Sequence, residues 1–217
     1  MIRRNLPAAI VLTISAALTL TACGGGDDSK DSDEIVGADK QSPAAGSSPS
    51  PSKESGSQNL PDFKLPKDIK VEIEPVETGN ELKDQILREQ AESLMARQRI
   101  LVDRDVNSGY LNRYYEGEAR DFYITLIKKA KAEGMTITGT YRYYDRKITQ
   151  NTKDRAVVTY CEDQTKAYSK DVKTGKAQKT EPSPEDFTLN TAVLTKTPNS
   201  TWVVQSLTGK TPAQECQ

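Results

Sequence analysis

Hydrophobic and polar positions divide the chain into three stretches. Ala8 to Leu20 is an uncharged, mostly apolar run that follows Arg3 and Arg4. A bilayer core takes ~20 apolar residues, so the run is too short to span one. It has the length of the apolar segment of a signal peptide. From Gly24 to Leu60 there is neither a helical nor a strand period. Gly24-Gly25-Gly26 leads into Asp27, Asp28, Asp31, Asp33 and Glu34, then into sequence rich in Ser, Pro and Gly. Too little apolar surface is present there to offset the entropy of ordering, so the stretch reads as a disordered tether. As a flexible coil its typical reach is roughly 30–35 Å.

The third stretch, 61–217, is long enough to bury one hydrophobic core. Lys70 to Val76 alternates, with Val71 and Ile73 set against Lys70, Glu72 and Glu74, which predicts a short edge strand ending at Pro75. Thr78 and Glu81 stand at capping-box spacing. After them Leu82, Ile86, Leu87, Leu94, Met95, Leu101 and Val102 recur at helical spacing, predicting a long amphipathic helix that fades at 105–107. A second helix carries Tyr110, Leu111, Tyr114 and Tyr115. A third carries Ala119, Phe122, Tyr123, Leu126, Ile127 and Ala130, with Gly134 placed to end it.

After Gly134 the period changes from 3.6 to 2. Strands are predicted over 136–145, 155–161, 167–170 and 176–180, then over 187–196 and 201–207. Turns are expected at 151–154, at Lys173-Thr174-Gly175 and at Pro198-Asn199-Ser200. Helices followed by a meander of strands predict an α+β fold, with N-terminal helices packed on one face of an antiparallel sheet.

Leu20-Thr21-Ala22-Cys23 resembles the lipobox of bacterial lipoproteins. The resemblance implies a signal peptide over 1–22, a diacylglycerol on Cys23, and a lipidated tether over 23–60 holding the domain outside the cell membrane. Arg3-Arg4 also resembles the opening of a twin-arginine export signal, so either export route remains open. The order of helices and strands in 61–217 resembles the nuclear transport factor 2-like superfamily, in which helices close over a strongly bent, cone-like sheet. A group of tethered lipoproteins from high-GC Gram-positive bacteria is more similar still. The shared features are the lipobox, the Ser/Pro tether, the Gly-Met-Thr-Ile-Thr-Gly-Thr run at 134–140 and Ala-Val-Val-Thr-Tyr-Cys-Glu-Asp at 156–163. Thr174-Gly175, the Trp202 strand and a cysteine near the end of the chain complete them.

Charge changes this picture little. Gly24 to Leu60 holds seven acidic and three basic residues, which leaves 61–217 close to neutral. A neutral domain offers no electrostatic footprint for nucleic acid or anionic lipid. The expected partners are the bilayer, through acylated Cys23, and an envelope protein or small ligand. There are three cysteines. With Cys23 committed to lipid, Cys161 and Cys216 remain, and an extracytoplasmic pair is expected to oxidise. The alternative is two separate thiols.

The chain contains no histidine. That removes Ser-His and Cys-His nucleophile pairs, the usual zinc sets and the commonest general base near neutral pH. No Gly-rich phosphate loop precedes a helix, and Asp27 to Glu34 lacks the spacing of a calcium loop. No cofactor or metal is expected. Carboxylates and nine tyrosines remain. The cone resemblance implies one chemistry for them, a carboxylate base with a tyrosine donor, as in ketosteroid isomerase. Tyr141, Tyr143 and Asp145, with Tyr114 above them, are the candidate ligand-binding residues. The alternative is that these tyrosines pack the helix–sheet interface. Glu162 and Asp163 read as a strand-end turn, and Trp202 as core. Two functions compete: a non-catalytic envelope lipoprotein that binds a protein or small ligand, and an isomerase or dehydratase that uses a buried acid.

Overall fold

In a computed structural model the described residues are 60–217. The expected signal peptide, Cys23 and the tether as far as residue 59 lie outside them. The chain forms strand β1 (Ile69–Ile73) and helices α1 (Glu81–Asp103), α2 (Gly109–Tyr114) and α3 (Gly117–Ala132). Strands β2 (Met135–Asn151), β3 (Arg155–Asp171), β4 (Ala177–Gln178), β5 (Phe187–Lys196) and β6 (Trp202–Lys210) follow. The helices pack against one sheet, as the change of period predicts.

The six-stranded sheet runs β1-β2-β3-β5-β6, with β4 paired onto β3. Every pairing is antiparallel except β1 with β2, which is parallel. The sheet is therefore mixed rather than purely antiparallel. Parallel strands need a crossover connection, and α1 to α3 provide one between β1 and β2.

Local signals account for most boundaries. Asn80, not Thr78, caps α1: its side chain accepts from the Lys83 N–H at 3.1 Å. Thr78 instead donates its hydroxyl to Asp84 at 2.6 Å. Arg104, left-handed at φ 51°, ends α1, and Gly134 at φ 67° follows α3. β3 is one strand where two are predicted. The polar residues from Glu162 to Lys166 look like a break, yet Glu162, Asp163 and Lys166 keep their pairing with β2.

The register of β2 against β3 slips at Thr140/Arg142, Tyr144/Lys147 and Ile148/Gln150. Such bulges bend a strand and increase its twist. At Gly139 the backbone has φ 97°, and a Cβ there would collide with the Lys166 carbonyl oxygen. Only glycine fits that crossing. The bend lets α1 and α3 each touch both β2 and β6, although β3 and β5 lie between those strands. Buried Arg146 of β2 ties the sheet to α1, donating to Gln90 Oε1 at 2.8 Å and to the Leu87 carbonyl. Burial, only partly opposed by Tyr160 and Glu74, lowers its pKa to about 10.

The main core joins Ile86, Leu87 and Ile100 of α1 and Ile127 of α3 to Tyr143, Val158, Leu194 and Trp202 of the sheet. A smaller cluster on the opposite sheet face holds Cys161, Ala213 and Cys216, with Tyr144, Phe187 and Leu189 against it. Cys161 and Cys216 form the expected disulfide, with Cα atoms 5.5 Å apart, and pin the end of the chain to that face.

Candidate functional site

Arg97 lies three residues after Leu94 and four before Leu101, both buried, so it belongs to the sheet-facing stripe of α1. In β3, Ala156, Val158 and Tyr160 are buried at alternate positions, and Glu162 is next on that face. Tyr143 of β2 is its direct cross-strand partner. These two patterns place a cation over a carboxylate. Arg97 Nη1 lies 2.5 Å from Glu162 Oε1, and the side chains are only 16% and 3% exposed. The Tyr143 hydroxyl donates to the same oxygen at 3.2 Å and accepts from Arg97 at 2.9 Å and Gln98 at 2.6 Å. Asn190 of β5 donates to Glu162 Oε2 at 3.4 Å.

Burial works against the charge of Arg97, but the Glu162 carboxylate together with Tyr143, Tyr123 and Tyr160 outweighs it, holding the guanidinium above its ordinary pKa. Burial likewise pushes the phenols of Tyr143, Tyr115 and Tyr160 far up, and that of Tyr141 to about 12. The centre therefore contains neutral phenols around one ion pair. Glu162 is an acceptor already engaged by three donors. Arg97 is less fully used: both its bonds leave from Nη1, and its buried Nε has no partner among the described residues.

Two clefts between α3 and the sheet meet at Arg97. One, of about 200 Å³, is lined by Phe122, Tyr123, Glu162, Thr188 and Asn190. The other, of about 240 Å³, is lined by Leu101, Leu126, Ile137, Tyr141 and Tyr168. Arg97 and Gln164 line both.

Of the four tyrosine and aspartate candidates, Tyr141 and Tyr143 lie at this centre. Asp145 does not. The bulge after Tyr144 breaks the alternation, leaving Asp145 exposed at φ 50° and paired with Lys147 at 2.7 Å. Tyr114 lies apart from it, with its hydroxyl on Glu92 at 3.2 Å and its ring against Phe63. The centre's charged residues, Arg97 and Glu162, are not among the candidates, although helical spacing and strand parity would have identified both. Glu162 lies within a strand and not in a strand-end turn. Among the described residues no group of three or more His, Cys, Asp or Glu is placed to hold a metal ion.

No protein-family model matches the chain, and no curated protein does. Solved structures similar to it include a ketosteroid isomerase-like protein from Erwinia carotovora atroseptica SCRI1043. That match has 15% identity and a TM-score of 0.41, and it covers 60% of this chain and 95% of the other. Another is the intermembrane space region of the chloroplast protein ARC6, at 11% identity and TM-score 0.39, covering 62% and 98%. A third is ActVI-ORFA from Streptomyces coelicolor, at 11% and 0.39, covering 58% and 93%. At this similarity none carries a residue role or a reaction over to this chain.

Proposed function

We propose that residues 61–217 form a non-catalytic ligand-binding module, held outside the cell membrane by an acylated Cys23 and the tether 23–60. The observation that carries the binding role is Arg97, paired with Glu162 and lining both clefts. A base needs a carboxylate free to take a proton, and Glu162 is held by Arg97, Tyr143 and Asn190. A binding site needs polar groups that converge in a cleft, and Arg97, Gln164 and Tyr141 supply them. The test is a titration of the full chain with benzoate, a small carboxylate, while the Arg97 Nε–H and Gln164 amide resonances are followed by NMR. Saturable movement of both is expected. No saturable movement of either overturns the binding role.

One observation favours the isomerase or dehydratase reading. Glu162 Oε2 has only the long 3.4 Å bond to Asn190, and Glu162 lines a cleft. That reading requires deuterium exchange into an enolisable ketone above the buffer rate, lost in Glu162→Gln. Exchange at the buffer rate removes it.

A further inference from the structure

The cleft beside Arg97 does not end at the polar centre. It shares Leu101, Leu126, Ile137 and Ser169 with a third cleft of about 240 Å³, which extends along α3 past Ala130 to Met135. From Leu126 to Glu133 the helix advances roughly 10 Å at 1.5 Å per residue. The two ends differ in chemistry. Around Arg97 stand Gln164, Tyr141, Tyr168 and Ser169, with no carboxylate in the lining of that cleft. Farther along, Leu126 and Ala130 of α3 face a wall of Leu101, Met135 and Ile137. Lys129 and Glu133 line the outer part with opposite charges.

We infer that the ligand of this groove is an amphiphilic carboxylate, its anionic head on Arg97 and its aliphatic tail along Leu101, Leu126 and Ile137. This rests on the reading of the cleft as a binding site. The head is an anion because Arg97 lines the cleft, no carboxylate shares that lining, and Glu162 engages only Nη1 of the guanidinium. A guanidinium presents its donors as a planar fork, and that fork matches a carboxylate. A cationic head would meet Arg97 with no acid in the lining to offset it. An uncharged head would give up the charge-assisted bond. The tail is aliphatic because the groove beyond Arg97 has apolar side chains on both walls.

Calorimetric titration of the full chain carrying Cys23→Ala, with hexanoate, octanoate, octanol and octyltrimethylammonium, tests this. Each buried methylene is worth about fourfold in affinity, so octanoate should bind roughly 15-fold more tightly than hexanoate. Octanol should bind at least tenfold more weakly than octanoate, and the cation not at all. Ala130→Trp, at a half-buried helix position, fills the groove. It should lower octanoate affinity at least tenfold while benzoate still moves the Arg97 Nε–H. The paired Arg97→Gln/Glu162→Gln variant leaves no lone charge and should equalise octanoate and octanol. Equal affinities for hexanoate and octanoate, or for octanol and octanoate, overturn the inference. If benzoate still moves Arg97, the binding role stands without an amphiphile. If no probe moves it, the binding role falls as well.

Discussion

Glu162 sits directly across the β2–β3 ladder from Tyr143, whose hydroxyl donates to its Oε1 at 3.2 Å. Arg97 reaches the same oxygen from α1, so a helix and two strands meet at one atom. Removing one partner of a buried pair leaves the other charge unpaired, which costs about 3–5 kcal/mol. Arg97→Gln alone should lower the stability measured by urea unfolding by about that amount. The double variant Arg97→Gln/Glu162→Gln should recover most of it. A single variant as stable as wild type would show that solvent already screens the pair.

The buried tyrosines make the fold sensitive to alkali. Burial holds Tyr115, Tyr143 and Tyr160 well above their ordinary pKa, and Tyr141 at about 12. Unfolded, each titrates near 10. Above that pH the native state binds more protons than the unfolded state, so stability falls as pH rises. The contribution is complete below about pH 10 and is lost as pH climbs toward the folded values. Tyrosinate absorbance at 295 nm should appear together with the loss of circular dichroism. Ionisation of these phenols with the dichroism intact would contradict their burial.

Gly139 is a steric requirement of the bend. At φ 97° a side chain is strained, and its Cβ would meet the Lys166 carbonyl oxygen. Gly139→Ala should destabilise the domain by more than about 2 kcal/mol. Gly79 also has positive φ, but a Cβ there meets nothing within 4 Å. Gly79→Ala should therefore cost less, and equal melting temperatures for the two variants would refute the crossing.

The disulfide joins residues 55 apart in sequence. A loop of that length corresponds to roughly 4 kcal/mol in the chain-entropy model. Cys216→Ser should lower stability by about 2–4 kcal/mol and leave Cys161 open to maleimide labelling after mild unfolding of the exported protein. Equal labelling of the wild-type protein would remove the bond.

The anchor has its own test. Among the described residues no helix is long and apolar enough to cross a membrane. A Cys23→Ala protein should appear in the soluble fraction after a high-salt wash. Retention on the membrane would mean that something other than the acyl chains holds it.

Periodicity determined the α+β class and the extent of β5, a local signal gave the Gly134 helix end, and the expectation that Cys23 carries lipid left Cys161 and Cys216 as the pair. These are local or counting properties: a 3.6 or 2 repeat, a capping residue, two cysteines in the predicted domain. The same alternation also put Glu162 on the Tyr160 face and Arg97 on the Leu94 stripe, but a charged residue in such a stripe reads as solvated until something is seen to cover it. Only the tertiary structure decided that. The β2 bulges turned Asp145 out to solvent, because one inserted residue reverses every later side chain and nothing nearby in sequence announces the insertion. The parallel placing of β1 depends on a crossover through three helices, and the Arg97–Glu162 contact joins residues 65 apart. Contacts of that range are set by how the layers pack, and the character of the cleft follows from them.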